Sequence, residues 1–255
     1  MDAIDVVMLT KNSEHLLDEC LTSIYNNVPI RQLIIIDGFS TDNTLKVLEK
    51  FSKKYGNVKI IMEKGSRAVA RERGIGEVET EWFMFADSDV VLCKDWFKKA
   101  EKHIDKNVGA VWGLNIDIIP NIKNKLFLKS LALVARECFN LRGGMHDTLI
   151  RSETVKDIKI PEELHAYEDA YIISWIKKKH WKVIIGDDLY CLHFRPQDDW
   201  SLKESLSLAI LDLKCGIVHS HIFRYAFYYP FFIFYWFLQL IGKNSKSSYQ
   251  RVSQR

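Results

Sequence analysis

Two aspartates separated by one serine, Asp87 and Asp89, directly follow the apolar run "WFMFA". Neighbouring carboxylates repel each other, so a compensating positive charge is expected close to them. Carboxylate oxygens are the ligands that Mg²⁺ and Mn²⁺ prefer, and such a cation can neutralise the phosphates of a nucleotide. The pair therefore predicts a metal-binding enzyme, and at least two unrelated enzyme classes use this arrangement.

Polar residues close each of the first four predicted strands, which end in "LTKN", "IDGFSTD", "MEKGSR" and "ADSD". Ligands of parallel α/β sheets bind beyond the carboxyl ends of the strands. Polar loops are common in any protein, but charged residues at four successive strand ends favour a binding site. These residues are Lys11, Asp37, Arg67 and the pair Asp87 and Asp89.

Strand-like and helix-like sequence patterns alternate over the first 115 residues, and these elements must position the polar residues. Apolar runs rich in Val and Ile read as strands buried on both faces, and apolar residues recur at helical spacing over about residues 16–24, 45–55 and 96–104. This alternation predicts an α/β fold with a Rossmann-like, mostly parallel sheet flanked by helices. After residue 115 we expect a mixed region that completes the site. It contains a helix-like "NKLFLKSLALVAREC", a helix before "KVIIGDD" and a short separate strand "LYCLHFRP".

Composition narrows the classes of function. Hydrophobic residues make up 47% of the 255 residues, and 36 basic against 33 acidic residues give a net charge of +3, which predicts no nucleic-acid partner. The five cysteines form no CxxC pair, so neither a zinc site nor a disulfide framework is expected. The first residues enter a strand-like run without a signal peptide, which predicts a cytosolic catalytic part.

The C-terminal part changes character. No charged residue occurs in the aromatic-rich run over residues 225–241, whose length is near the lower limit for a membrane-spanning helix. The tail after it carries basic but no acidic residues, which suits an anionic cytoplasmic leaflet. We therefore expect a catalytic domain over residues 1–222, a membrane-associated helix over 223–242 and a basic tail over 243–255. A core helix or an oligomer contact is the alternative for the apolar run.

Five segments together carry a family resemblance. "LTKN", "IIIDGFSTDNT", "GSRAVARERGI", "WFMFADSD" and "YEDAYI" occur in the order and at the approximate spacing typical of family-2 nucleotide-sugar glycosyltransferases. The chain resembles these inverting enzymes over about residues 3–195. The resemblance implies a GT-A fold, a UDP- or GDP-linked sugar donor and a glycan or polyprenyl-linked acceptor. With the C-terminal run, it implies an enzyme at the cytoplasmic face of the cell membrane.

The resemblance assigns the nucleotide-sugar site. Asp37 would contact the nucleotide base, although Gly38 stands where relatives often have a second aspartate. The same pocket would be lined by Thr10, Lys11 and Asn12.

Gly65 and Arg71 match the family's glycine and arginine. A glycine allows close backbone approach to a ligand, and a guanidinium presents a fixed fork of donors to a base or phosphate. Arg67 and Arg73 are alternatives for the arginine.

The resemblance also assigns the reacting groups. Asp87 and Asp89 become the DxD motif that holds Mn²⁺ or Mg²⁺, with Asp87 also close to the donor and Asp89 the more direct ligand. His193, in "CLHFRP", would complete the metal shell, although a single histidine is also common as a structural residue.

The acceptor side follows from "YEDAY" and the glycine pair. Asp169 would be the general base, and Glu168 would orient the acceptor with Gly143 and Gly144. Acids at a helix N-terminus are also favoured by the helix dipole, and both interpretations are compatible.

Two other functions remain open on the sequence alone. "DSDVV" fits the pattern DxDx[TV] of haloacid-dehalogenase-type phosphatases, with "KVIIGDD" as a later acidic motif. That superfamily usually opens its domain with the nucleophile strand, whereas about 80 residues precede it here. A non-catalytic, membrane-bound scaffold is the third possibility, and clustered carboxylates without a ligand disfavour it.

Overall fold

The computed structural model describes residues 1–118, 124, 126–130, 132–133, 144–164, 167–194, 210 and 214. The predicted membrane helix, the basic tail and Gly143 lie outside these residues, and so does the boundary near residue 222. Among the described residues, no helix combines the length and the apolar character that crossing a membrane requires.

Strands and helices alternate along the first hundred residues, as the sequence predicts. The strands of the described chain are β1 Ile4–Thr10, β2 Ile30–Asp37, β3 Val58–Met62, β4 Trp82–Asp87, β5 Val90–Leu92, β6 Val108–Asp117, β7 Asp147–Arg151 and β8 Lys182–His193. The helices with both ends in the described part of the chain are α1 Leu17–Asn27, α2 Thr44–Tyr55, α3 Arg67–Gly76, α4 Trp96–Glu101, α5 Ser152–Val155 and α6 Glu168–Lys178, and residues 126–130 and 132–133 are also helical.

The eight strands form one sheet in the order β3-β2-β1-β4-β7-β6-β8-β5. The first four in this order pair in parallel, which confirms the Rossmann-like half. Strand β7 then pairs antiparallel with both β4 and β6, β6 pairs in parallel with β8, and β5 pairs antiparallel with β8. The mostly parallel sheet is therefore joined through one antiparallel strand to the mixed region.

Both faces of the sheet are covered by helices. In β1, Val6 and Met8 enter one apolar core with residues of α1, α2 and α4, whereas Val7 enters a second core with residues of α3 and α6. Successive strand residues point to opposite faces, so a strand in such a sheet is buried on both sides. This is why "VVML" in β1 is a continuous apolar run and not an alternating one. The buried Asp5 before this run is paired with Arg31, whose Nε lies 2.7 Å from Asp5 Oδ1.

The region after residue 115 differs from the prediction in two ways. We did not expect β7, whose five residues lie in the stretch around the glycine pair. "KVIIGDD" and "LYCLH" are one strand of 12 residues and not two, so that prediction was wrong. The break in the apolar pattern is an irregularity within β8, because its register against β6 shifts between the Trp112–Ile185 and Leu114–Tyr190 pairs.

Candidate active site

The polar residues predicted to lie together do meet at one edge of the sheet. Thr10 at the end of β1 is in register with Asp37 at the end of β2, and Leu9 is in register with Asp87 at the end of β4. Parallel strands with aligned ends bring their following loops together, which is the physical basis of the strand-end rule.

Asp37 is fully buried and connects the first two loops of this edge. Its Oδ2 accepts hydrogen bonds of 2.7 Å from the hydroxyls of Thr10 and Ser40, and its Oδ1 accepts the Ser40 N–H at 2.8 Å. In the structure Asp37 therefore shapes the pocket wall, and its contact with a nucleotide base stays a prediction.

Lys11 and Asn12 follow β1 at the surface of the same edge. Asn12 adopts a positive φ of 50°, donates its N–H to Ser40 Oγ at 2.9 Å and accepts the Thr41 N–H on Oδ1 at 2.9 Å. The aliphatic part of Lys11 passes beside Gly38, where an added Cβ would lie 3.2 Å from Lys11 Cδ. The missing aspartate at position 38 thus makes room for the lysine side chain.

Gly65 lies in the four-residue connection between β3 and α3. A Cβ at Gly65 would lie 2.5 Å from Val69 Cγ1, a distance that side chains cannot tolerate. Ser66 caps α3 by accepting the Val69 N–H at 3.5 Å, and its own hydroxyl donates to the Glu162 carbonyl at 2.8 Å. The glycine is therefore needed to start the helix that carries Arg71.

Arg71 is the buried arginine of α3, whereas Arg67 and Arg73 are exposed and Arg73 pairs with Glu77. Its Nη2 donates to Asp87 Oδ1 at 3.1 Å. Its Nε and Nη1 are buried without a hydrogen-bond partner among the described residues. Buried donors are nearly always paired, so the two groups favour a ligand that bears oxygen acceptors.

Asp87, Asp89 and His193 form a cluster in which one ligand atom of each lies within 4.8 Å of the others. The Asp89 Oδ2 to His193 Nε2 distance is 3.2 Å. The His193 Nδ1 lies 2.8 Å from Asp117 Oδ1, which would fix the tautomer that leaves Nε2 for a metal. Two carboxylates and one imidazole suit Mn²⁺ or Mg²⁺, so the residues present fit the predicted cation.

The negative charges of this cluster are compensated by neighbouring positive charges. Burial by itself would lower the pKa of His193, but Asp89 and Asp117 outweigh it and raise that pKa to about 10. Burial would likewise raise the pKa of Asp87, yet Arg71 and His193 hold it below its usual value. The cationic partners that the like-charged pair required are therefore Arg71 and a protonated His193, whose proton a metal would replace.

Glu168 and Asp169 begin α6, and Glu168 lies against Arg71, the arginine that also contacts Asp87. The Glu168 carboxylate is buried and its Oε1 lies 3.9 Å from Arg71 Nε. Burial, together with the neighbouring charge of Asp169, raises the pKa of Glu168 to about 7. Asp169 is more accessible than Glu168, and its role as the general base stays a prediction. Glu168 lies against Arg71, and its role in orienting the acceptor also stays a prediction.

Gly144 belongs to a second, buried polar network behind the cluster. A Cβ at Gly144 would lie 2.5 Å from His146 Nε2. The His146 Nδ1 lies 2.7 Å from Asp147 Oδ1, and Asp147 Oδ2 accepts the Trp96 Nε1–H at 2.9 Å. Cys191 lies 3.6 Å from the same histidine nitrogen, and burial raises the pKa of its thiol. The network packs the base of the site and leaves Gly144 no room for a side chain.

Three residues that contribute to the candidate site were not predicted from the sequence. Asp117 closes β6, so the strand-end rule would have found it had the predicted strand been extended by three residues. Ser88, between the two aspartates, lies 2.9 Å from Ser13 through their hydroxyl oxygens. The His146 carbonyl accepts the Asp87 N–H at 3.1 Å, a backbone contact that no side-chain pattern could have revealed.

The comparison with known families agrees with this geometry. The model of the family described as "Glycosyl transferase family 2" matches residues 5–146, more than half of the chain. The chain belongs to glycosyl transferase family 2. The resemblance seen in the sequence is therefore confirmed, and the phosphatase interpretation is wrong. In β8 the acid Asp188 pairs with His103 at 2.8 Å instead of joining Asp87.

One curated relative of this family 2 chain is the poly(ribitol-phosphate) beta-glucosyltransferase of Bacillus spizizenii. The two are 28% identical over 214 residues, which cover 78% of this chain and 33% of that protein. The chain thus spans about a third of the length of this relative.

Solved structures show the fold. Staphylococcus aureus TarS 1-349 in complex with UDP matches with a TM-score of 0.58 and 24% identity, over 84% of this chain and 66% of that one. The mannosyltransferase PcManGT of Pyrobaculum calidifontis, in complex with GDP-Man and Mn²⁺, matches with a TM-score of 0.60 and 19% identity. That match covers 77% of this chain and 58% of the other. These likenesses establish the GT-A-like α/β fold for this family 2 member.

Proposed function

We propose that the chain is a metal-dependent, inverting glycosyltransferase that moves a sugar from a UDP- or GDP-linked donor to a glycan or lipid-linked acceptor. One observation carries the proposal. A single guanidinium, that of Arg71, lies 3.1 Å from Asp87 of the DxD pair and 3.9 Å from Glu168 at the start of α6, so one carboxylate of each acidic pair lies against the same buried cation.

The donor would be held at the strand ends. A nucleoside diphosphate carries dense negative charge, and Lys11 and Arg71 supply cations at the edge where it would bind. The two Arg71 nitrogens, Nε and Nη1, which are buried without a partner in the described part of the chain, would donate to phosphate or ribose oxygens. Solved structures of the same fold, one with UDP and one with GDP-Man, support a nucleotide-linked donor.

The divalent cation would be held by Asp89 and His193, with Asp87 beside them. When bound, such an ion neutralises charge on the diphosphate leaving group. Asp117 would keep His193 oriented through its Nδ1, and Arg71 would keep Asp87 ionised.

Transfer to a hydroxyl acceptor requires that one proton leaves that hydroxyl. In the proposed reaction the acceptor hydroxyl oxygen forms a bond to the anomeric carbon while the bond from that carbon to the diphosphate breaks. The proton passes to the Asp169 carboxylate, and the nucleoside diphosphate leaves with the electron pair. Attack on the face opposite the leaving group inverts the anomeric carbon.

The acceptor is proposed from relatives and from the C-terminal sequence. The Bacillus spizizenii relative is named for poly(ribitol phosphate), which supports a hydroxyl of a teichoic-acid type polymer or a related glycan as acceptor. The uncharged run over residues 225–241 supports an enzyme held at the cytoplasmic face of the membrane, where a polyprenyl-linked acceptor is also presented.

The acceptor class determines how much Asp169 matters. If the acceptor is a hydroxyl, Asp169→Asn is expected to lower kcat by roughly 10²–10⁴-fold, the usual contribution of a general base. A polyprenyl phosphate is already ionised, so the same variant would then lose far less. The matched control is Asp157→Asn, an exposed aspartate beside Lys179, which should leave kcat unchanged.

The direct test of the proposed function is incubation of the protein with UDP-, GDP- and dTDP-sugars and Mn²⁺, with release of nucleoside diphosphate as the readout. Calorimetric titration with each nucleoside diphosphate, with and without EDTA, measures binding in parallel. Metal-dependent binding of at least one of them is expected. Absence of binding to all three in the presence of Mn²⁺ would contradict the proposal.

A further inference from the structure

Phe39 has a backbone conformation that its residue type disfavours. The non-glycine residues with positive φ in the described part of the chain are Asn12, Phe39, Asp95 and His180. Asn, Asp and His are enriched in this left-handed region, whereas a bulky aromatic residue there is an outlier. At φ 60°, Phe39 is strained, and such strain persists where a function retains it.

The strain of Phe39 is not compensated by core packing. Its side chain is 44% exposed and belongs to neither apolar core of the sheet. Burial of a phenylalanine side chain would offset the free-energy cost of an unfavourable backbone conformation, but an exposed side chain offsets little of it. The ring is therefore displayed at the surface at a cost to the folded state.

The location of Phe39 links the ring to the donor site. It lies between Asp37 and Ser40, which hydrogen-bond to each other, in the loop after β2. Lys64, in the loop after β3, places its Nζ 5.0 Å from the centre of the Phe39 ring. One face of the ring is thus covered by a cation at the strand-end edge where nucleotides bind in such sheets.

We propose that Phe39 is a stacking platform for the nucleobase of the donor, with Lys64 holding the ring from its other face. This inference rests on the proposed function, because it needs a nucleotide-linked donor. Every base offers a π-face, so an aromatic ring binds it whichever base the donor carries. The platform would contribute affinity, and the polar groups around Asp37 would supply discrimination between bases.

The test compares four variants by calorimetric titration with UDP and GDP in the presence of Mn²⁺. Phe39→Gly removes the ring and relieves the strain, so the melting temperature should stay equal or rise while affinity falls about ten-fold. Phe39→Tyr should keep the affinity, and Phe39→Leu should lose it although it stays apolar. Tyr55→Ala removes an exposed aromatic at the C-terminal end of α2 and should leave affinity unchanged.

Inorganic pyrophosphate with Mg²⁺ separates stacking from general damage to the site. Pyrophosphate has no base, so its affinity should be equal in the wild type and in Phe39→Gly. Unchanged nucleotide affinity in both Phe39→Gly and Phe39→Leu would overturn the platform while leaving the proposed function intact. An equal loss of pyrophosphate and nucleotide affinity would also overturn it. A wild-type protein that binds no nucleoside diphosphate would refute the proposed function itself.

Discussion

Arg71 is the residue on which the candidate site depends most directly. It is buried, it contacts Asp87 and Glu168, and its guanidinium carbon lies 4.7 Å from the centre of the Phe85 ring. A cation in this position keeps one carboxylate ionised and leaves N–H groups for a ligand. The acids on either side of it therefore behave differently, since Asp87 has a lowered pKa and Glu168 a raised one.

Removing the proposed metal ligand is expected to stop transfer without unfolding the protein. In Asp89→Ala, relief of the repulsion between Asp87 and Asp89 offsets loss of the 3.2 Å pair between Asp89 and His193, so the melting temperature without ligand should stay within a few degrees. Transfer should be abolished because the cation loses its direct ligand. Asp87→Ala should be less severe. Activity assays over a Mn²⁺ titration check this, and full activity of Asp89→Ala in metal-free buffer would refute the DxD assignment.

Glu168 is expected to make the protein less stable as the pH rises. A carboxyl group whose pKa is higher in the folded than in the unfolded state binds its proton more tightly when folded. Its contribution is complete below the ordinary value of 4.5 and is lost as the pH rises through about 7. In Glu168→Gln this loss, roughly 1–3 kcal/mol in the free energy of unfolding, should disappear.

Urea unfolding at about pH 5 and about pH 8 measures the effect of Glu168. Glu163→Gln is the matched control, because Glu163 is an exposed glutamate five positions earlier and should leave the pH profile of the wild type unchanged. A Glu168→Gln profile identical to that of the wild type would show that Glu168 is not neutral in the folded protein.

At the scale of elements, α3 is positioned by its close approach to the sheet. A Cβ at Gly74 would lie 2.4 Å from Val7 Cγ1 in β1, so the helix can pack here only because residue 74 has no side chain. Arg71 lies one turn earlier on the same helix. The distance between α3 and β1 therefore determines where the guanidinium meets Asp87.

Gly74→Ala is expected to push α3 from the sheet. The overpacking should lower the free energy of unfolding by about 1–3 kcal/mol, and displacement of Arg71 should weaken nucleoside-diphosphate binding. Gly76→Ala is the matched control, since a Cβ there meets no atom within 4 Å. Thermal melts and calorimetry check both variants. Equal stability and equal nucleoside-diphosphate affinity of the two variants would contradict the role of close packing between α3 and β1.

At the scale of the whole molecule, the sheet order brings the two halves of the chain together at one site. Strand β7 lies between β4 and β6, and its neighbouring His146 carbonyl holds the Asp87 N–H. Strand β8 then carries His193 to β5, where His193 is in register with Val90, next to Asp89. The proposed metal cluster thus needs both the parallel half and the mixed half.

The C-terminal sequence predicts that the full chain associates with membranes. The uncharged run over residues 225–241 should bury apolar side chains in the interface, so the protein should pellet with membranes and resist extraction by high salt. Truncation after about residue 220 should release it while nucleotide and metal binding persist, because the proposed ligands all precede residue 196. A full-length protein that stays soluble without detergent would contradict this prediction.

Removing only residues 243–255 is the control for charge. The basic tail contributes electrostatic attraction to anionic lipids, which salt screens. The variant without residues 243–255 should therefore bind membranes more weakly than the full chain but should still pellet with them. Complete release by loss of the tail would assign the attachment to charge and not to apolar burial.

The sequence by itself determined the parallel half of the fold and the types of residue at its edge. Continuous apolar runs require burial on both faces, and polar residues must follow them where strands end, so Thr10, Asp37 and Asp87 could be placed at one edge from local pattern alone. Sequence spacing could not show which of the three arginines of α3 points into the site, because this depends on which side of the helix packs against the sheet. It also could not reveal β7, because a strand of five residues is too short to show a clear period.

Only the tertiary structure decided which distant side chains meet. His193 and Asp89 are 104 positions apart, and their approach follows from the pairing of β8 with β5. Asp117 reaches His193 because β6 and β8 are parallel and in register at their ends. The buried position of Glu168 against Arg71 follows from the packing of α6 on the sheet. Chain spacing specifies faces of single elements, whereas the charges and pKa values of a site depend on neighbours that only the folded sheet brings together.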